Sequence, residues 1–349
     1  DWYHVDYMYF YVRKDVAHRL WDYGSVPPGL FETWRDPYAG VQIDLAADQA
    51  WGSGAGTAPD QFNRPRGLAV GPDGQIFVVD SDNARVQVFD ADGAFLRQWG
   101  SYCNLENGQG CADPDGDGPL AQGDGQFREP WGIAVSHDGR VYVADTWNHR
   151  IQVFDARGAF LTKWGAFGET VSVSGLFYGP RDVALDGQGR VYVTDTGNER
   201  VVVSDAEGNY LDQWGGEGLG PGQFAEPVGI DLGPSGNVYV ADTWNLRVQV
   251  FDQQGDFIRE WLVDAWYGQG VTNKPFLAVD GRGRIYVTDP EGYRVIVFDD
   301  QGDLLATWGD YGFDDRSFGL PTGIGLAADG AIYVTDSDGQ RALRFPPLP

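Results

Sequence analysis

Residues 113–118 read Asp-Pro-Asp-Gly-Asp-Gly, and Asp124 follows six positions after Gly118. A calcium ion takes about six to eight hard oxygen ligands, and a single loop can supply most of them. Such a loop carries carboxylates at its first, third and fifth positions, a turning glycine at the sixth, a carbonyl at the seventh and an acid at the twelfth. Asp113, Asp115, Asp117, Gly118, Pro119 and Asp124 fill those places in order. Two features depart from the pattern: the last acid is aspartate rather than glutamate, and no helices flank the loop. The spacing predicts a calcium-binding loop of the weak kind found in extracellular modules; the other reading is a solvated acidic loop. Just before it stand the only two cysteines, Cys103 and Cys111. Their spacing suits a small disulfide, and hence an oxidising compartment, with two free thiols as the alternative. A zinc pair is disfavoured, since no histidine lies nearby in sequence.

These residues have to be placed by something repetitive. Residues 127–165 hold four short apolar runs separated by glycine and aspartate turns, the signature of a four-stranded antiparallel meander. Copies recur at 62–100, 177–215, 224–261 and 274–309, with a last one running from 318 to 345. Each carries an aspartate at the end of its second strand: Asp80, Asp145, Asp195, Asp242, Asp289 and Asp336. One meander cannot bury both faces, so copies must stack, and six of them predict an all-β, six-bladed β-propeller. Trp51-Gly52 sits where a fourth strand ends, while the last copy stops after its third. A strand within 41–52 is therefore expected to complete the sixth blade and close a propeller spanning 41–349. Residues 1–40 form a separate extension, with a strand at 7–12 and a short helix at 15–23 ended by Gly24 and Pro27-Pro28.

The repeats resemble the NHL family, which has a Pro-x-Gly before the first strand and an Asp-x-x-Asn-x-Arg turn between the second and third. The match is carried by Asp145, Asn148 and Arg150, then Asp195, Asn198 and Arg200, then Asp242, Asn245 and Arg247. Gly292 and Gly339 replace the asparagine in the fifth and sixth copies, which glycine permits at such a turn. The resemblance implies a propeller fold and several possible functions. Some family members bind RNA through a basic face; at a net charge of −26 this chain repels phosphate backbones and anionic headgroups, so nucleic acid and bare membrane are poor partners. Other members are lyases holding a channel metal with histidines from several blades. The four histidines here, His4, His18, His137 and His149, do not build such a cage, and no catalytic residues are assigned. Residues 7–24 resemble the soluble tail of propeller-bearing bacterial membrane glycosyltransferases. No stretch is long and apolar enough to span a bilayer.

Meander parity puts the Asp-x-x-Asn turns, the Pro-x-Gly segments and the long inserts at 101–126, 166–176 and 262–273 on one face. The opposite face has only tight hairpins, so function is expected on the insert-bearing face. There the residues following the prolines, Arg66, Trp131, Arg181, Val228, Phe276 and Thr322, ring the channel mouth, with Trp147 and Trp244 on neighbouring turns. Two cations and several aromatics suit an anionic or planar ligand; alternatively they pack against one another and the inserts. The recurring Asp and Arg are read as turn clamps. Together these features predict an extracellular, calcium-stabilised binding or assembly module, part of a larger cell-surface protein, that takes a protein or glycan partner on the insert face. The alternative is an enzyme, either a lyase or hydrolase at the channel mouth or the appendage of a glycosyltransferase.

Overall fold

The computed structural model describes residues 2–5, 10–13, 37–112, 123–169, 175–266, 270 and 273–349. Six four-stranded antiparallel sheets form the blades. Their innermost strands are Pro65–Val70, Ile133–Val135, Pro180–Leu185, Pro227–Leu232, Leu277–Val279 and Pro321–Leu326. Each contacts the next, and the last returns to the first, so the ring is closed around a central channel. Second strands are buried throughout, and third strands nearly so, because both of their faces meet neighbouring blades.

Closure follows the sequence expectation, with a shorter strand. Gln49–Trp51 is the outer strand of the sixth blade, pairing Ala342 with Trp51, Leu343 with Ala50 and Arg344 with Gln49. The Trp51 ring lies 6.1 Å from Phe89 of the first blade and 5.9 Å from Tyr333 of the sixth, so it joins the two ends of the ring. The preceding segment crosses from the fifth blade, where Gln42 bridges Thr307. Packing on the propeller begins earlier still: Tyr38 is buried among residues of the fourth and fifth blades, its hydroxyl accepting the Ala265 N–H. In the extension, Trp2–Val5 and Phe10–Arg13 pair as a hairpin, which moves the strand expected at 7–12 toward its C-terminal end. The helix expected at 15–23 lies outside the described residues.

The recurring aspartates are clamps in all six blades. Arg85, Arg150, Arg200, Arg247, Arg294 and Arg341 each place Nε within 2.6–2.9 Å of Oδ2 on the aspartate five residues earlier. The other oxygen reaches back to the segment before the first strand, accepting from Asn63, Arg128, Tyr178, Ala225 and Leu320 N–H groups in five blades. Asn83, Asn148, Asn198 and Asn245 donate to the aspartate and to a carbonyl of the link between blades. In the last two blades the Gly292 and Gly339 N–H groups donate to the aspartate instead. A Cβ at Gly292 would stand 2.0 Å from Asp289 Oδ2, so the substitution and the altered hydrogen bond belong together.

Candidate functional site

At the channel mouth three side chains from three blades form a stack. The guanidinium of Arg66 lies 3.7 Å from the Trp131 ring centre and that of Arg181 lies 3.6 Å from it; all three residues are buried. Arg181 also reaches to 5.3 Å from Trp147, and Phe276 packs at 6.5 Å from Trp131. Guanidinium groups bind aromatic faces through charge and quadrupole, and more strongly when water is excluded. Burial, with repulsion from Arg64 and Arg181, lowers the Arg66 pKa to about 9, and burial lowers that of Arg181 to about 10. Both therefore stay cationic at neutral pH. Nε and Nη1 of Arg181 and the Trp131 indole N–H are buried with no hydrogen-bond acceptor among the described residues. Lys274, also buried, holds Nζ 2.6 Å from Glu226 and 4.7 Å from the Trp244 ring, which is itself exposed.

The ring predicted at the mouth is thus largely a plug of mutually packed residues. Arg66, Trp131, Arg181, Val228 and Thr322 occupy one level, while Phe276 stands one residue deeper. Leu277 pairs with Val287 as Leu68 pairs with Val78, so Phe276 matches Gly67 rather than Arg66. The segment before the fifth inner strand is one residue shorter than the others, a difference hidden when the copies are aligned on proline.

Neighbouring blades are joined at this level by a second device. The residue between Asn or Gly and Arg of each clamp turn is left-handed in all six blades: Ala84, His149, Glu199, Leu246, Tyr293 and Gln340. Three of these side chains capture the backbone N–H just before the proline of the next blade. His149 Nδ1 accepts from Gly179 at 3.1 Å, Glu199 from Glu226 at 2.6 Å and Gln340 from Arg64 at 2.9 Å. The bond to Nδ1 keeps His149 neutral with its proton on Nε2, in agreement with a pKa lowered by burial and by Arg128. His149 packs among Trp147, Phe167 and Tyr178. Glu199 is raised to about 7 by burial and then by the charges of Glu226, Asp242 and Glu217, against the opposing hydrogen bond from Glu226. A carboxyl raised on folding binds its proton more tightly in the folded state, so its contribution is greatest at low pH and is lost as pH rises toward 7. The stability advantage of the native chain over Glu199→Gln in urea unfolding should therefore shrink between pH 5 and pH 8; a constant difference would remove Glu199 as the titrating group.

The first insert is anchored to this face. Cys103 and Cys111 form the disulfide expected from their spacing. Asn148 donates to the Cys103 carbonyl and accepts the Leu105 N–H, tying the bridge to the clamp turn of the second blade. Asp113, Asp115, Asp117 and Pro119 lie outside the described residues. Asp124 is described and buried, its carboxylate paired with Lys163 and 3.6 Å from Arg150 Nη1.

Below the mouth plug the channel holds a cavity of about 210 Å³, lined by all six inner strands. Asp182, Phe276 and Asp231 break the sixfold pattern there. One ring reads Gly67, Gly132, Asp182, Gly229, Phe276 and Gly323, and a deeper one reads Ala69, Ala134, Ala184, Asp231, Ala278 and Gly325. Glycine is demanded in the first ring by close approach: a Cβ at Gly67 would stand 2.3 Å from the Trp131 carbonyl and one at Gly323 2.1 Å from that of Arg66. Asp182 and Asp231 each satisfy N–H groups of their own and the next inner strand, Val183 and Ile230 for the first, Leu232 and Val279 for the second. Sequence reasoning passed over both, since aspartate is abundant throughout; the aspartate in Pro-Arg-Asp, where four of the other five copies read glycine, was the available signal.

The geometry defines a closed six-bladed propeller of clamped four-stranded blades with a plugged mouth. Residues 62–89, 127–154, 177–203 and 224–251 match the NHL repeat. The protein is an NHL-repeat propeller. It is 34% identical over 115 residues to NHL repeat-containing protein 3 of Mus musculus, covering 32% of this chain and 28% of that protein. It is 26% identical over 148 residues to Protein SUPPRESSOR OF QUENCHING 1, chloroplastic, of Arabidopsis thaliana, covering 42% of this chain and 13% of that protein. The chain thus spans under a third of either relative. Among solved structures, a gluconolactonase from Xanthomonas campestris superposes with a TM-score of 0.57 at 15% identity, covering 88% of this chain and 98% of that one; this is a likeness of fold.

Proposed function

We propose that the protein is a binding module that docks a protein partner on the insert-bearing face. The observation that carries this reading is the set of apolar side chains left exposed on the links and turns of that face. Tyr102 and Leu105 come from the link after the first blade, Phe167 from the second, Leu219 from the third and Leu262 from the fourth; Tyr311 and Phe313 come from the fifth, and Trp244 adds an indole from a turn. Leu219 is 79% exposed, Leu262 66% and Tyr311 63%. Apolar and aromatic groups gathered on one face are what a protein interface buries at its core, and a rigid ring presents them with little ordering cost. The plug of Arg66, Trp131 and Arg181 favours a surface partner over a substrate entering the mouth from this side. The disulfide supports an extracellular setting. Calcium at Asp113, Asp115 and Asp117 would order the first insert next to Tyr102 and Leu105; with Asp124 engaged by Lys163 and Arg150, those three carboxylates and the Pro119 carbonyl would carry the site.

The reading is tested by selecting ligands for the whole chain from a displayed peptide library and a glycan array, with calcium and with chelator. Selected peptides should lose binding to a Phe167→Ser, Tyr311→Ser, Phe313→Ser variant that still melts as a folded propeller, and should bind more weakly in chelator. Equal binding to that variant would overturn the assignment of the face, selection of glycans alone would replace the protein partner by a carbohydrate one, and indifference to chelator would remove calcium.

A further inference from the structure

We propose that the central channel, reached from the hairpin-bearing face, binds a small organic cation whose ammonium group sits between Asp182 and Asp231. The site is distinct from the face assigned above. One end of the channel is sealed by the Arg66, Trp131 and Arg181 stack. At the other end the inner strands become partly exposed at Val70, Val135, Leu185, Leu232, Val279 and Leu326, so the cavity opens toward the tight hairpins.

Charge and shape point to the same ligand class. Among the described residues no lysine, arginine or histidine lines the cavity, and its ionisable side chains are the two aspartates. Each of their four oxygens accepts one backbone N–H at 2.8–3.1 Å, leaving further lone pairs for a donor in the channel. A buried carboxylate without a cation is costly. Burial raises the Asp231 pKa to about 6 and carries Asp182 well above the usual range, where the charge of Asp231 raises it further. An ammonium ion relieves both burial and repulsion. Around it the side chains are aliphatic apart from Phe276, polar atoms supply the larger part of the accessible wall, and a cavity of about 150 Å³ already admits benzene. About 210 Å³ therefore accommodates a ring with a short aminomethyl arm. Holding strands together does not account for the pair, since three of the six blades have glycine or alanine in both rings. The net charge of −26 favours the approach of cations.

Benzylammonium is the probe, titrated calorimetrically into the full chain, with benzyl alcohol as its neutral isostere. Saturable binding is expected for the amine, weaker by about tenfold or more for the alcohol and for Asp182→Gly and Asp231→Ala, because each loses a charge-assisted contact. Those substitutions install the residue found at the same level in other blades; Asp231→Asn serves if Asp231→Ala does not fold. Binding should be unchanged in the Phe167→Ser, Tyr311→Ser, Phe313→Ser variant, so this site and the insert face stand or fall separately. The proposal is overturned by equal affinity for the alcohol, by full affinity in both aspartate variants, by no saturable binding of the amine, or by its displacement by stoichiometric calcium.

Discussion

Replacing Asp145 by asparagine is expected to lower the unfolding free energy by about 3–5 kcal/mol, the usual consequence of removing one partner from a buried ion pair. Asp145 is fully buried and Arg150 nearly so. The carboxylate receives Arg150 Nε at 2.7 Å, the Asn148 amide, the Gln152 amide and the Arg128 N–H. Asparagine offers one acceptor where these donors require two, and leaves the buried Arg150 guanidinium with Asp124, 3.6 Å away, as its remaining carboxylate. The corresponding Asp336→Asn should cost less, because Arg341 is partly exposed and water can reach it. Urea unfolding of the two variants checks both claims. A loss below about 1 kcal/mol for Asp145→Asn, within the range of an ordinary hydrogen bond, would reduce the clamp to a minor contact.

The second large effect concerns ring closure. A chain beginning at residue 53 loses Gln49–Trp51 and with it the outer strand of the sixth blade. Truncating a buried Trp alone costs about 3–5 kcal/mol, and the strand takes three backbone pairings with it, so the melting temperature should fall by about 10 °C or more. The strand Arg341–Phe345 then becomes a free edge, and association should rise with protein concentration. A synthetic peptide covering residues 37–53 should restore both properties by pairing with that edge. A truncated chain that melts like the full one would show that the ring closes without this strand.

What the sequence disclosed and what it concealed divide along a physical line. Trp51-Gly52 and the early end of the last copy were legible because both are local patterns that complement each other, and the disulfide because eight residues of chain confine two thiols. The clamps were legible from repetition, since a role played in every blade leaves the same residues in every copy. The mouth was legible only as a set of residues. Arg66, Trp131 and Arg181 lie 50 or more residues apart, and nothing in their order states that two guanidinium groups stack on one indole rather than face a ligand. Phe276 was set one level too shallow because the segment before its strand is one residue shorter than in the other blades. The channel aspartates were the most hidden, since their meaning depends on the glycine and alanine that occupy the same levels in other blades.

Hydrogen exchange of the protein, free and bound to a peptide selected against it, tests the central claim most directly. Docking on the insert-bearing face predicts slowed exchange in 101–112, 166–169, 216–223, 262–266 and 309–317, with the hairpins at 71–75, 136–140, 186–190, 233–237, 280–284 and 327–331 unchanged. Protection confined to those hairpins, with the links exchanging as in the free protein, would contradict it.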